Sequence, residues 1–180
     1  ERLKEAIMGF TAAGIEKTLV TTTQQAPLGF ELTVPTANAG NEVWIYVQCI
    51  TAALAAGNIA YRPSGSATYT VTPTTVGTTV IEHPATIAGV AQHAIAINSY
   101  GFVLKRGVGS VQAGDGAVIT VNNGLTAAGT VVVGTAAIAI ANASAITDTE
   151  AQVFAWCTTS SAAAGPAPAG MGKAMIDCRG

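Results

Sequence analysis

The chain has 180 residues and a mass of 18.0 kDa, enough for one domain with a buried core. Eight basic and ten acidic residues give a net charge of -2, so there is no surplus of positive charge to bind nucleic acid or an anionic membrane surface. Charged residues make up only 10% of the chain, less than half of their usual share. A surface so short of charge suits a subunit that packs against neighbours in an assembly.

Residues 1–40 predict an extended N-terminal arm. Leu3, Ile7 and Phe10 are spaced to share one face of a short helix. The Thr-rich segment that follows is interrupted by prolines and contains Phe30. The first residues are charged rather than a basic end followed by an apolar stretch, so no secretory signal is expected. These four apolar residues are candidate contacts of the arm with a partner.

Residues 41–159 predict a β domain, in which short β-type runs alternate with Gly, Pro and Asn. About nine short strands at this spacing are typical of a compact β-barrel or β-sandwich. In EVWIYVQCI, odd-numbered residues 43–49 share one face and even-numbered residues 44–48 the other, and an apolar character on both faces predicts a central strand. In GTAAIAIANAS, small residues alternate with Ile138 and Ile140, which favours a strand over the alternative of a long helix.

The segment SYGFVLKRG combines two aromatic residues, two glycines and an adjacent Lys–Arg pair. We expect a turn at residues 98–101 and a strand that ends at Gly107, with Phe102 and Leu104 on the face opposite Lys105.

Four residues of this segment are candidate contacts with a neighbouring protein. Tyr100 and Phe102 are expected in the core or at a subunit boundary rather than at a substrate site. Lys105 and Arg106 could meet a carboxylate of a neighbour, since a basic pair is unusual in so uncharged a chain.

No motif predicts catalysis. GSVQAGDG has the glycine spacing of a phosphate loop, but Asp115 and Gly116 stand where Lys and Ser or Thr are needed. INSYG resembles a nucleophile elbow, but Ile97 replaces the first glycine. His83 and His93 have no further ligand at metal spacing. We therefore expect no enzyme, no catalytic residue, no cofactor and no metal.

Residues 160–180 are expected to form a linker rich in Ser, Ala, Pro and Gly and a short C-terminal tail. Cys157 and Cys178 flank this segment, and a third cysteine, Cys49, lies in the apolar run described above. Free buried thiols are the simplest expectation, and a disulfide between Cys157 and Cys178 is the alternative.

Three stretches of residues 43–140 carry a resemblance: VWIYVQCITAALAAGNIAYRPSG, IAGVAQHAIAINSYGFVLKRGVGSV and GDGAVITVNNGLTAAGTVVV. Their order resembles the decoration, or cement, proteins of tailed-bacteriophage heads. The resemblance implies a non-enzymatic protein of the virion, made in the bacterial cytoplasm and bound to the outside of an icosahedral capsid. Its implied partners are the major capsid protein, reached through a terminal arm that adds a strand to a sheet edge, and copies of itself, with a trimer favoured.

Two other classes remain open. One is a different virion component: a tail or fibre subunit, or the shell protein itself. The other is a carbohydrate-binding β module with an aromatic stacking platform. Its candidate aromatic residues are Trp44, Tyr46, Tyr61, Tyr69, Tyr100 and Trp156.

Overall fold

The computed structural model describes residues 16–37, 40–63, 68–73, 86–112, 124–127, 138–140, 153–159 and 171–178. These residues form ten strands in one mostly antiparallel sheet, which confirms the all-β prediction. Among these residues, no helix is long and apolar enough to cross a membrane. The strands are β1 (Glu31–Thr36), β2 (Gly40–Cys49), β3 (Ile59–Tyr61), β4 (Thr70–Val71), β5 (Ile87–Val90), β6 (Tyr100–Gln112), β7 (Gly124–Ala127), β8 (Ile138–Ile140), β9 (Val153–Thr159) and β10 (Met171–Asp177).

Five of the strands close into a small barrel. β2 pairs with β6 and, in parallel, with β4, while β5 pairs with both β6 and β3. The ring closes between β3 and β4, where Tyr61 and Thr72 exchange two backbone hydrogen bonds of 2.9 Å each. Alternate residues of each strand point inward. The barrel interior contains apolar side chains of small and medium size: Ile45, Val47, Cys49, Leu54, Ala60, Val71, Ala88, Ala91, Ile95 and Val103.

β2 is the central strand that its sequence predicts. Ile45 and Val47 belong to the barrel interior, whereas Trp44 and Tyr46 belong to a second apolar cluster outside the barrel. All four side chains are almost completely buried. The predicted two-sided alternation is therefore confirmed, because each face of β2 packs against its own core.

The second cluster is covered by an outer layer of strands. The main path of the sheet runs β1-β2-β6-β10-β9-β7-β8, so β10 lies between β6 and β9. Small and medium residues of β10 and β9 face the cluster, among them Ala174, Ile176 and Cys157. We use the name outer layer for β10, β9, β7 and β8.

The position of β10 corrects the expected C-terminal tail. Residues 171–177 pair with β6 over their whole length and with β9 over part of it. The inward residues of β10 are Gly172, Ala174 and Ile176, so only one of them has a large side chain. The alternation of large apolar and polar residues that would predict a strand is therefore weak here. The preceding stretch, rich in Pro and Gly, also favours a linker in the sequence.

β6 begins as predicted and ends later than predicted. Asn98 has the left-handed φ of 59° that a turn residue tolerates, and the strand starts two residues later. Gly107 does not end the strand, which continues to Gln112. Gly107 instead has a φ of 131° within the strand, a conformation that a side chain would strain.

A β-bulge explains how β6 serves both the barrel and the outer layer. Leu104 pairs with Trp44 and Arg106 pairs with Val43, so Lys105 is an extra residue in the register with β2. Before the bulge, even-numbered residues face the second cluster; after it, odd-numbered residues are buried. The bulge thus changes which side chains of β6 face the second cluster: Phe102 and Leu104 before it, and Val111 after it.

β1 ends the described strand order on the side opposite the outer layer. Leu32 and Val34 face the second cluster, and Glu31 and Thr33 are exposed. Pro35 lies opposite Asn41 in the pairing with β2, which is compatible with an edge strand because proline has no backbone N–H. The last part of the expected arm is thus a strand of the sheet.

Candidate interaction surfaces

The residues proposed as contacts of the arm have different positions. Leu3, Ile7 and Phe10 lie outside the described residues. Phe30 is partly buried and packs against the second cluster. Its ring meets that of Phe102 edge-on, with centroids 6.5 Å apart. Phe30 therefore attaches the N-terminal segment to the domain.

Phe102 is part of the core rather than of a contact surface. Its side chain is fully buried, and its ring centroid lies 5.0 Å from that of Tyr46. The Tyr100 ring stacks on the Tyr46 ring: their centroids are 6.2 Å apart and the rings are 14° from parallel. Tyr100 is half-buried, so part of its side chain is available to a partner.

This aromatic group holds the N-terminal segment against the sheet. The backbone N–H of Gln25 donates to the Tyr46 hydroxyl at 3.0 Å. The backbone N–H of Gly29 donates to the Tyr46 carbonyl at 2.8 Å. Further upstream, Thr21 and Tyr100 exchange two backbone hydrogen bonds of 2.7 and 3.1 Å. The segment is therefore fixed at three places between residues 21 and 29.

A polar cluster fixes the segment at its first described residues. The Lys17 ammonium donates to the Glu42 carboxylate at 2.8 Å and lies 4.8 Å from the centre of the Trp44 ring. The Trp44 indole N–H donates to the same oxygen of Glu42 at 2.9 Å. Charge-assisted hydrogen bonds and cation–π contact add to each other here. We call Lys17, Glu42 and Trp44 the arm root.

The two basic residues of SYGFVLKRG have separate surroundings. Lys105, the bulge residue, donates to Glu31 of β1 at 2.6 Å and is largely covered. The Arg106 side chain is 64% exposed, and its nearest nitrogen lies 3.8 Å from an oxygen of Asp177. Lys105 thus already has a carboxylate partner within the chain, while Arg106 faces solvent beside a loosely paired acid.

The outer face of β9 and β10 presents an apolar surface that the sequence analysis did not predict. Trp156 is 51% exposed, and Met171 and Met175 are each 42% exposed. Met175 lies directly opposite Trp156 on β9 and opposite Val108 on β6. Arg106, Met175, Ile176 and Asp177 line a shallow depression of about 510 Å³ at one end of this face. The signal in the sequence was MGKAMID, whose residues alternate with a period of two.

The cysteines are free and buried, as expected. Burial raises the pKa of Cys178 to about 12, with a further contribution from the nearby negative charge of Asp177. Burial also raises the pKa of the thiols of Cys49 and Cys157. These thiols are therefore protonated and unreactive near neutral pH.

The part of the chain that the structure describes contains no metal-binding group of three or more His, Cys, Asp or Glu residues. His93 is half-buried, and burial lowers the pKa of its imidazole, which favours the neutral form. His83 lies outside the described residues.

No family model and no curated protein matches the sequence. Among solved structures, the chain is similar to the crystal structure of the head fiber gp8.5 N base in bacteriophage phi29. The two share 13% sequence identity and a TM-score of 0.45, over 76% of this chain and 94% of the other.

Proposed function

We propose that this chain is a non-enzymatic structural protein of a tailed-phage virion, bound to the outer surface of the head. Its partner is the major capsid protein, and its effect is to stabilise contacts between neighbouring capsid subunits. The support comes from the resemblance of residues 43–140, from the scarcity of charge and, above all, from the way the N-terminal segment is anchored.

The anchoring of the arm root is the observation that carries the proposal. Lys17, Glu42 and Trp44 fix the start of the described segment beside β2, and the hydrogen bonds to Tyr46 fix its continuation. A force applied through residues 1–15 therefore acts on a closed barrel rather than on a free tail. Such an anchor suits a domain that is attached to a larger surface through its N-terminal end.

An arm that adds a strand to a sheet edge of the capsid protein would bind mainly through backbone hydrogen bonds. Such a contact needs little charge, which fits a chain with 10% charged residues. Many copies on one shell would also raise the strength of attachment through multivalency. Weak single contacts are then sufficient for a stable decorated particle.

The structure defines the truncation that tests this proposal. Removal of residues 1–40 would delete β1 and the contacts with Tyr46, so it would damage the second cluster. Removal of residues 1–15 leaves the arm root and every described strand in place. We expect this shorter chain to keep its thermal midpoint and to lose at least tenfold in affinity for purified empty capsids in a co-sedimentation assay.

Glu42→Gln serves as a matched variant, because it keeps residues 1–15 and weakens only their anchor. We expect intermediate binding, since the arm is present but less well positioned. Full binding by the chain that lacks residues 1–15 would contradict a role for the arm. No binding of the complete chain to capsids would contradict the proposed function as a whole.

The carbohydrate-binding alternative receives little support from the described aromatic residues. Trp44, Tyr46 and Tyr61 are at most 4% exposed, so they cannot stack on a sugar. Trp156 is well exposed, and the residue directly opposite it on β10 is the apolar Met175. Binding to a glycan panel together with failure to bind capsids would favour this alternative, and incorporation into tails would favour a tail or fibre subunit.

A further inference from the structure

We propose that the outer layer opens from the barrel as one unit, hinged at residues 105–107 of β6, and that three amide side chains hold it closed. The three are Asn58, Gln92 and Gln112, and we call them the amide clasp. The opening is a property of the chain alone, so it does not depend on the proposed attachment to a capsid.

The hinge lies where β6 passes from one partner strand to the next. The pairing with β2 ends at Arg106, and the pairing with β10 runs from Arg106 to Gln112. The extra residue Lys105 and the positive φ of Gly107 lie at this junction. Hinges are formed by a few residues that absorb a change of backbone angles. A change at residues 105–107 would therefore move the second half of β6 together with the strands of the outer layer.

Gln92 takes the place of a partner strand for the second half of β6. It follows β5, and its side-chain amide donates to the carbonyl of Ser110 at 3.0 Å and accepts from the backbone N–H of Ser110 at 2.8 Å. A neighbouring strand would make the same pair of hydrogen bonds through its backbone. The side chain fits closely, since a Cβ added at Gly109 would lie 2.7 Å from its amide nitrogen. Two hydrogen bonds thus join β6 to the barrel beyond the hinge.

Asn58 and Gln112 form the other half of the amide clasp. The Asn58 amide donates to the side-chain oxygen of Gln112 at 2.8 Å, and the backbone N–H of Gln112 donates to the Gly57 carbonyl at 3.0 Å. Asn58 is fully buried, and Gln112 is 8% exposed. The backbone of Ala91 bonds both Gly57 and Asn58, at 2.7 and 2.9 Å, and so attaches their turn to the barrel. The end of β6 is therefore bonded to a well-fixed part of the barrel.

Apolar contact alone holds the outer layer less firmly than it holds the barrel. Of the described residues that β7, β9 and β10 contribute to the second cluster, only Leu125 and Ile176 are large. The others are Ala155, Cys157 and Ala174. Small side chains bury little apolar surface, so the hydrogen bonds of the amide clasp make up a larger share of what keeps this layer closed. Regions with few buried apolar contacts open before the rest of a fold does.

Native-state hydrogen exchange, followed residue by residue by NMR, tests the opening. In the wild-type chain we expect the hydrogen-bonded amides of β9 and β10 to exchange at least about tenfold faster than those of β3 and β5, relative to their intrinsic rates. Their exchange should also respond less steeply to urea, because opening exposes less surface than complete unfolding does. Equal protection and equal urea dependence in the two sets of strands would overturn the proposal.

A variant of the barrel interior shows whether the outer layer opens while the barrel stays folded. Ile45→Val weakens the barrel equally in the closed and in the open state, because the interior is intact in both. We expect this variant to accelerate the exchange of β3 and β5 about fivefold and to leave that of β9 and β10 unchanged. Equal acceleration in all four strands would mean that they exchange through complete unfolding, and it would overturn the proposal.

Gln92→Met tests the amide clasp, because it keeps the length of the side chain and removes both hydrogen bonds with Ser110. The N–H and C=O of Ser110 then lose these partners in the closed state, whereas in the open state they bond to water. We expect the exchange of β9 and β10 to become about thirtyfold faster. The matched control is Gln25→Met, which removes an exposed amide that donates to the Thr23 carbonyl two residues away and should change nothing. Unchanged exchange in Gln92→Met would contradict the clasp.

Gln92→Glu separates the hydrogen bonds of the amide clasp from its packing. A protonated carboxyl group offers one donor and one acceptor, as the amide does toward Ser110, whereas an ionised carboxylate only accepts. Exchange in β10 should therefore be close to that of the wild type at about pH 4 and clearly faster at about pH 7. Each comparison is made with the wild type at the same pH, because the neighbouring His93 titrates in both chains. The same acceleration at both pH values would contradict hydrogen bonding by Gln92.

Discussion

The barrel and the outer layer of this protein differ in how far they bury their apolar side chains. Every residue of the barrel interior is at most 1% exposed, and the ring of strands around it is closed by hydrogen bonds. The outer layer buries one face in the second cluster and leaves Trp156 and Met175 about half exposed on the other. The difference indicates a division of labour, in which the barrel contributes most to stability and the outer layer leaves apolar side chains uncovered.

Removal of an interior side chain should show the largest difference between the two regions. Ile45→Ala empties space in a barrel that has no edge strand to collapse into it, and should lower the free energy of unfolding by about 2–5 kcal/mol. Trp156→Ser on the outer layer removes a larger side chain and should change it by less than about 0.5 kcal/mol. Urea unfolding measures both. Equal losses would contradict the division.

The junction between the two regions should be the next most sensitive position. Gly107 follows the bulge of β6 with a φ of 131°, and an added Cβ would lie 3.0 Å from Cγ of Glu42. Gly107→Ala should therefore cost about 1–3 kcal/mol through backbone strain and close contact. Gly40 also has a positive φ, of 73°, but no atom lies within 4 Å of an added Cβ.

Gly40→Ala is thus the matched control and should cost only about 1 kcal/mol. The comparison by thermal or urea unfolding separates the strain of the junction from the general preference for glycine at positive φ. A Gly40→Ala variant less stable than Gly107→Ala would show that the bulge tolerates a side chain.

The pH dependence of stability should reflect the burial of Cys178 at the end of β10. Its pKa rises from 9.0 in the unfolded chain to about 12 in the folded one. Because the folded pKa is raised, the contribution is complete below pH 9 and is lost as the pH rises toward 12. Between pH 8 and pH 10 we expect a loss of about 1 kcal/mol from this group.

Cys178→Ala provides the control, since other groups also titrate in this range. The difference in stability between wild type and variant should decrease as the pH rises from 8 to 10. Thiol labelling at pH 8 should be slow in the folded protein and fast in urea. Rapid labelling of Cys178 in the folded protein would contradict its burial.

The smallest effect should come from the ion pair that joins β1 to the bulge. A double-mutant cycle with Lys105→Met and Glu31→Gln should give a coupling of about 0.2–1 kcal/mol, because Glu31 is nearly half exposed. The cycle is measured by urea unfolding. A coupling of zero would leave Lys105 available as a contact residue for a partner.

The sequence predicts the parts of the fold in which local pattern and packing agree. β2 shows its two apolar faces in consecutive residues, and the turn at Asn98 leads into β6 as expected. The late end of β6 could not be predicted, because a bulge at Lys105 reverses the alternation and glycines follow it. The barrel closes through pairing of Tyr61 with Thr72, and the local sequence around each residue does not indicate that these two segments pair with each other.

The candidate surface could be predicted only in part. Tyr100 and Phe102 are candidate contacts because they are aromatic, but the same property makes them suitable for a core. Trp156 and Met175 become a surface only when β9 and β10 are paired. Their contact depends on the register in which β9 and β10 pair, and the local pattern of either strand alone does not specify that register.

Pro35 on β1 has a consequence for how the protein behaves at high concentration. An exposed edge strand can act as a template onto which further chains add, and this growth ends in fibrous aggregates. A proline near the end of that strand removes one backbone donor and interrupts the ladder of hydrogen bonds that an added strand would need. At high concentration the chains are then less prone to form a continuous fibril along this edge.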